Sequence, residues 1–144
     1  MVFRTGPIVD LNNRALGQHE GIIHFTIGQR KGMGLASPDP VYVLEIHPEK
    51  NQIVVGRDEF LFKKKLTVSG INLIDPDDRR RPIPVKAKIR YKHREAKALL
   101  TILDEKKACL RFEKSQRAVT PGQSAVFYDG DVVIGGGIIE GECV

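Results

Sequence analysis

The chain has 144 residues, of which 41% are hydrophobic and 28% charged, and its net charge is +5 at pH 7. This composition is typical of a folded globular protein and excludes collagen-like, low-complexity and wholly disordered chains. No run approaches the ~20 apolar residues of a membrane helix, and no secretion signal opens the chain, so we expect a cytoplasmic protein without membrane contacts. Two cysteines, Cys109 and Cys143, are too few for a disulfide framework, and no metal site is expected.

The charge is distributed unevenly along the chain. Residues 1–60 carry six Lys and Arg against seven Asp and Glu, whereas residues 61–144 carry seventeen against eleven. The positive surplus therefore belongs to the second part. A cationic body of this kind favours a polyanionic partner such as nucleic acid, although a charge surplus also keeps proteins in solution.

The first part of the sequence is typical of β structure. Short runs of Val, Ile, Leu, Phe and Tyr recur between Gly, Pro, Asn and Asp, and no long 3.6-residue period is present. A first hairpin is predicted to pair residues 6–11 with residues 14–18, because Asn12 and Asn13 suit a tight turn.

Two further elements are predicted before residue 60. Residues 20–27 are predicted to form one or two helical turns that end at Gly28, although the segment is too short for its period to separate a helix from a strand. A second hairpin pairs residues 41–47 with residues 52–56, because the polar residues 48–51 have the length of a hairpin connection.

Six more strand patterns follow in the second part. They cover residues 66–74, 83–92, 97–103, 108–113, 124–128 and 132–139. Six consecutive strands predict a small closed barrel, since closure leaves few exposed edges. Residues 104–107 are expected to join two of these strands, and Asp129-Gly130 offers the positive φ of a tight hairpin. The predicted fold is therefore all-β, with a small connecting domain over residues 1–62 and the barrel over residues 63–144.

The most basic strand pattern lies at residues 85–92, where apolar and basic side chains alternate. A period of two places four cations on one face: Lys86, Lys88, Arg90 and Lys92. Such a row suits a phosphate backbone, because each neutralised phosphate releases counterions. An ordinary solvated β face is the alternative. Further basic residues nearby favour RNA, namely His93, Arg94, Lys97 and the clusters at residues 63–65 and 79–81.

A glycine-rich segment at residues 26–34 combines backbone flexibility with two cations. These properties suit close approach to a phosphate or a base, so Gln29, Arg30 and Lys31 are candidate contacts to RNA or to another domain. The segment is not a Walker loop, because Lys31 is not followed by Ser or Thr. The alternative is a turn-rich connector whose polar side chains face solvent.

Three other features have mainly structural interpretations. Residues 120–123 predict a turn, in which only Gln123 is suited to recognition because its amide both donates and accepts. The glycines at residues 135–137 predict a bulge or close packing at a barrel corner. Cys109 has no base placed beside it by the sequence, so we expect a structural thiol and no catalytic residue.

Two long motifs are more specific than these local patterns. They are Thr-Ile-Gly-Gln-Arg-Lys-Gly at residues 26–32 and Thr-Pro-Gly-Gln-Ser-Ala-Val-Phe-Tyr at residues 120–128. With Gly-Pro-Ile-Val-Asp at residues 6–10 and Lys-Ile-Arg-Tyr at residues 88–91, in this order, they resemble the bacterial tRNA-specific 2-thiouridylases. The resemblance covers essentially the whole chain, but only the C-terminal part of that family.

The resemblance implies an enzyme whose main machinery lies outside this sequence. In that family an N-terminal PP-loop domain uses ATP with magnesium to adenylate the wobble uridine of tRNA, and a cysteine persulfide delivers sulfur to C2. The signature Ser-Gly-Gly-x-Asp-Ser does not occur here, and Cys109 and Cys143 do not match the family's cysteines. We therefore expect a truncated chain that binds tRNA but has no cofactor and no thiolation activity alone.

The resemblance also implies partners and contact residues. Residues 1 to about 60 correspond to the family's central domain, and the remainder corresponds to a barrel similar to those of translation factors. Expected partners are tRNA, the missing PP-loop domain and a sulfur-carrier protein. Family tRNA contacts correspond to Arg90, Tyr91 and Gln123, to which the basic strand adds Lys88 and Lys92.

We expect Arg90 to contact phosphate or sugar, Tyr91 to pack or hydrogen-bond against RNA, and Gln123 to make a polar contact. Strict alternation sends Arg90 and Tyr91 to opposite faces, so either the strand ends or bulges there, or only one of them contacts RNA. The competing interpretation is a scaffold that docks the catalytic domain or a sulfur carrier.

Overall fold

A computed structural model describes residues 4–30, 32–35, 39–74, 82–90 and 94–142. Within these residues the chain is nearly all β, and its only helical elements are 3-10 turns at Ile22–His24 and Asp58–Leu61, so the predicted all-β class is confirmed. The chain divides into two compact units, Met1–Phe62 and Lys63–Val144. The same described ranges hold no helix with the length and apolarity needed to span a membrane.

The first unit is a four-stranded sheet with the order β2-β1-β4-β3. Its strands are β1 (Gly6–Val9), β2 (Ala15–His19), β3 (Tyr42–His47) and β4 (Gln52–Gly56). Both predicted hairpins are confirmed, because β1 pairs antiparallel with β2 and β3 pairs antiparallel with β4. A parallel pairing of Ile8 with Ile53, which the sequence did not predict, joins the hairpins. Both side chains are fully buried in the core of this unit.

The helix predicted over residues 20–27 is wrong. Only Ile22–His24 form a 3-10 turn, and Phe25 is already extended. The N-terminal cap is Gly21, which has no side chain to accept a hydrogen bond from the turn. A short segment without a cap does not repay the entropy of nucleating an α-helix, so the chain leaves the helical conformation after three residues.

The second unit is a closed barrel with the strand order β10-β5-β8-β7-β6-β9, which confirms the predicted six-stranded barrel. Its strands are β5 (Phe62–Leu73), β6 (Ile83–Lys88), β7 (Ala96–Ile102), β8 (Ala108–Arg117), β9 (Ser124–Asp129) and β10 (Val132–Glu142). Alternate apolar side chains point inward, and Phe112 and Phe127 are the largest fully buried ones in the barrel. The outward positions carry mostly polar and charged side chains, with some exposed apolar ones such as Leu99 and Val132.

Two predicted turns shape the barrel edges. Asp104 Oδ1 accepts hydrogen bonds from the backbone N–H groups of Lys106 and Lys107, both at 2.8 Å, in the turn between β7 and β8. These two bonds are the main cause of a pKa of Asp104 below its ordinary value. Gly130 has a φ of 60° between β9 and β10, which confirms the predicted positive φ.

The glycines at residues 135–137 confirm the predicted close packing. A Cβ on Gly137 would lie 2.5 Å from Val68 Cγ1 and 2.7 Å from the carbonyl oxygen of Ser69. The register of β10 against β5 also shifts between Gly136 and Ile138. Close contact between neighbouring strands therefore requires glycine at position 137.

Candidate nucleic-acid interface

The basic strand is shorter than the sequence predicted. Strand β6 ends at Lys88, Ile89 is buried, and Arg90 lies in a bend. The prediction of four cations along one strand is therefore wrong, although Lys86 and Lys88 do share the outer face. The alternative in which the strand ends before the Arg90-Tyr91 pair is confirmed.

Arg90 turns toward the connection between β8 and β9. Its Nη2 donates hydrogen bonds to the backbone carbonyl oxygens of Arg117 and Ala118. Ala118 has a φ of 52°, unusual for a residue with a Cβ, and its carbonyl also accepts a bond of 3.1 Å from Thr120 Oγ1. The guanidinium thus stabilises a strained corner of the backbone.

Burial has a further effect on this guanidinium. Partial burial lowers the pKa of Arg90 from its ordinary value, and the nearby charge of Arg117 lowers it further. A guanidinium remains charged at neutral pH in spite of such a shift. The contact of Arg90 with tRNA that the resemblance implies stays a prediction.

Gln123 lies on the same connection as the carbonyls that Arg90 binds. Its backbone N–H donates to the carbonyl of Thr120 at 3.2 Å, and Gly122 has a φ of 90°, so the predicted turn at residues 120–123 is confirmed. The Gln123 carbonyl accepts a bond of 2.8 Å from Ile139 N–H in β10. The turn is fixed at both ends, and the Gln123 side chain is exposed.

The glycine-rich segment of the first unit forms a turn beside β3. Gly28 N–H donates to the carbonyl of Val43 at 2.8 Å, and Val43 N–H donates to the carbonyl of Gln29 at 2.9 Å. The side-chain Oε1 of Gln29 accepts from Thr26 N–H at 3.0 Å, which closes the turn. These bonds favour the connector interpretation for Gln29, whereas Arg30 is exposed.

Several predicted residues fall outside the described ranges, namely Lys31, the cluster at residues 79–81, Tyr91, Lys92, His93 and Cys143. Cys109 is half-buried on β8, opposite Thr101 of β7. Over the described ranges, His, Cys, Asp and Glu side chains do not form a group of three or more suited to a metal ion.

The barrel brings together cations from different strands. Lys86 of β6 lies directly opposite Lys97 of β7, and both side chains are exposed. In the described part of the chain neither ammonium group takes part in an ion pair. Like charges at directly opposed positions of a sheet repel each other, and an anion bound between the two lysines relieves that repulsion.

These two lysines line an open groove on the barrel with a volume of about 620 Å³. Lys64 of β5 and Arg111 of β8 line it as well, and we call this set of four cations the cationic groove. Leu99, opposite Arg111, and Pro84, opposite Leu99, add apolar surface. Tyr128 and the carboxylates of Glu113 and Asp129 complete the polar lining.

Arg111 and Tyr128 are site residues that were not predicted from the sequence. The signal was present, because Arg111 stands between the buried Leu110 and Phe112, and Tyr128 follows the buried Phe127. Alternation therefore assigns both side chains to the outer face of the barrel. The alternation does not show which strands pair, and this pairing is what places both side chains in one groove with Lys86.

The fold and these motifs agree with comparisons to known protein families. Residues 63–139 match the family model described as the aminomethyltransferase beta-barrel domain, and residues 1–57 match the tRNA methyl transferase PRC-barrel domain. The first match covers more than half of the chain, so the chain belongs to this β-barrel family.

Individual relatives carry a more specific name. The chain is 49% identical to the tRNA-specific 2-thiouridylase MnmA of Acetivibrio thermocellus, over 95% of this chain and 38% of the relative. It is 48% identical to MnmA 1 of Caldanaerobacter subterraneus and 49% identical to MnmA of Clostridium perfringens, with the same coverage. The resemblance found in the motifs is confirmed, and the chain spans about 38% of the length of these curated relatives.

Proposed function

We propose that this chain is the C-terminal part of a tRNA-specific 2-thiouridylase and that its barrel contributes tRNA binding. The names of the relatives support the first statement. The observation that carries the second is the opposed pair of Lys86 and Lys97. Phosphates of a polynucleotide relieve the repulsion between the two ammonium groups and release counterions, so the pair is favourable in the complex.

The activity of the whole enzyme is part of the same proposal. A PP-loop domain binds ATP with magnesium and activates the wobble uridine, and a cysteine persulfide supplied by a sulfur carrier thiolates C2. We assign no step of that chemistry to residues of this chain, so the chain alone has no thiolation activity. Because the substrate is tRNA, we place the enzyme in the cytoplasm.

Individual residues take different roles in this proposal. Lys88, at the end of β6, lies on the same outer face as Lys86 and contacts phosphate together with it. The exposed Gln123 makes a polar contact from its fixed turn. Arg90 supports that turn through the backbone at residues 117–118. Tyr91 and Lys92, which follow Arg90 in the sequence, contact RNA.

Filter binding of tRNA at several salt concentrations tests the proposal. We expect the logarithm of the affinity to fall linearly with the logarithm of salt concentration, between about 50 and 200 mM. The variant Lys97→Gln should lower the slope by about 0.7–0.9, which corresponds to one phosphate contact. Lys106→Gln is the matched control, because Lys106 is exposed on the same barrel but does not line the groove.

A scaffold role predicts a different result. A barrel that only docks the catalytic domain or a sulfur carrier binds tRNA weakly or not at all, with the same affinity in Lys97→Gln and in the control. Pull-down against the PP-loop domain and the sulfur carrier then identifies the partner. Affinity for tRNA that does not depend on salt would contradict the electrostatic part of the proposal.

A further inference from the structure

The cationic groove has more than the charges that a phosphate backbone needs. Its four cations come from strands β5, β6, β7 and β8, while Tyr128 comes from β9. Backbone docking alone requires only charge at the surface. A cavity with an aromatic ring and apolar side chains suits a ligand that is partly apolar.

The position of Tyr128 relative to the lysines is fixed by the sheet. Tyr128 lies opposite Lys86 on the outer face, and Lys86 lies opposite Lys97, so the three residues form one row across β9, β6 and β7. The Tyr128 side chain is half-buried. An aromatic ring next to Lys86, with Lys97 one strand further along the row, presents a stacking surface beside a phosphate site.

A second row runs parallel to the first. Pro84 lies opposite Leu99, which lies opposite Arg111, and Leu99 is 39% exposed. The apolar part of this row adjoins the Tyr128 row, and the guanidinium stands at its end. A phosphodiester does not bind to apolar surface beside an aromatic ring, whereas the face of an unstacked base packs against it.

Two carboxylates in the groove further restrict the kind of ligand that can bind there. Glu113 and Asp129 line the same groove as the four cations. They repel a ligand that is only an anion, such as inorganic polyphosphate, and they accept hydrogen bonds from base amino groups or a ribose hydroxyl. A volume of about 620 Å³ is within the range of small-ligand sites, roughly 300–1,000 Å³.

We propose that the cationic groove holds an unpaired nucleotide of an RNA strand, with its phosphates on Lys86, Lys97 and Arg111 and its base against Tyr128. The inference rests on the proposed function and adds to it a preference for single-stranded RNA. In a duplex the bases are stacked and paired, so their faces are not available to Tyr128. A duplex therefore contacts the cations alone.

Binding of two RNA ligands to the 144-residue chain tests this inference. One is a single-stranded oligonucleotide of roughly 4–16 nucleotides, and the other is a hairpin duplex with the same number of phosphates. We expect the single strand to bind more tightly. Tyr128→Leu should weaken it roughly tenfold with an unchanged salt slope, because the change removes stacking but no charge.

Three controls accompany this measurement. Tyr128→Phe keeps the ring and should retain single-strand affinity. The duplex, which contacts the cations alone, should bind Tyr128→Leu and the unchanged protein equally, which shows that Tyr128→Leu is folded. Inorganic polyphosphate carries no base and is repelled by the two carboxylates, so it should compete weakly, and to the same extent in Tyr128→Leu and in the unchanged protein.

The outcomes separate the two proposals. RNA binding could depend on salt but be equal for single strand and duplex and unchanged in Tyr128→Leu. That result overturns the unpaired-nucleotide site and leaves the proposed function intact. Absence of RNA binding by the unchanged protein overturns the proposed function together with this inference.

Discussion

The imidazole of His19 and the backbone carbonyl of Asn51 are joined by a hydrogen bond of 2.8 Å, although 32 residues separate them. Gly21 N–H donates to His19 Nδ1 at 3.1 Å, so Nδ1 is the acceptor and Nε2 is the donor to the Asn51 carbonyl. His19 is 2% exposed and is the only buried polar side chain among the described residues. The ring therefore ties the end of β2 to the turn between β3 and β4.

Replacing this ring should destabilise the first unit. In His19→Leu the Asn51 carbonyl and the buried Gly21 N–H lose their partners, and we expect the free energy of unfolding to fall by about 1–3 kcal/mol. Hydrogen exchange of amides in β1, β2 and β4 should accelerate, with barrel amides unchanged. His47→Leu is the control, since His47 pairs with Glu45 at the surface and should contribute less than about 1 kcal/mol. Equal effects of the two variants would contradict the role of His19.

The variant Arg90→Ala should distinguish structural support of the Gln123 turn from a direct contact between Arg90 and RNA. It leaves the carbonyls of Arg117 and Ala118 without their guanidinium donor, and we expect a loss of about 1–3 kcal/mol in the free energy of unfolding. Affinity for RNA should fall because the turn carrying Gln123 is less ordered, but the salt slope should stay constant. A slope lowered by about 0.7 would instead show that Arg90 neutralises a phosphate.

The ionisation of Asp104 should make the stability of the barrel depend on pH. Its pKa is lowered mainly by hydrogen bonds from the N–H groups of Lys106 and Lys107, so the ionised form is favoured in the folded state. The stabilisation is complete above the pKa of the unfolded chain, about 3.9, and is lost as pH falls through the lower folded value. Melting temperature should therefore decrease below about pH 4, and less so in Asp104→Asn, which keeps an acceptor oxygen without a titrating charge.

Local patterns predicted most of the strands. In β6 the alternation of Val85 and Ala87 with Lys86 and Lys88 gave both the strand and its outward face, because a two-residue period depends only on neighbouring residues. The turn at residues 120–123 was predicted for a similar reason, since Pro121 and Gly122 suit its two central positions. The 3-10 turn at Ile22–His24 was predicted as a longer helix, because so short a segment has no reliable period.

Contacts between residues far apart in the chain could not be predicted from the sequence. The bond from Arg90 to the Arg117 carbonyl spans 27 residues, and the end of β6 that allows it has no local signal. The opposition of Lys86 and Lys97 depends on the register of β6 against β7, which no pattern within either strand determines. The sequence therefore identified a basic surface but placed its cations along one strand, whereas the structure places them across several.

The opposed pair of Lys86 and Lys97 should lower the stability of the barrel but raise its affinity for RNA. Removing one charge relieves the repulsion, so Lys97→Gln should raise the free energy of unfolding by about 0.2–1 kcal/mol at low salt, and less at high salt where the charges are screened. The same variant should bind RNA more weakly. Urea denaturation and filter binding on one preparation measure both effects, and Lys106→Gln should change neither. A Lys97→Gln protein that is less stable than the unchanged chain would show that the two ammonium groups do not repel each other, and the main support for an anion site between them would be lost.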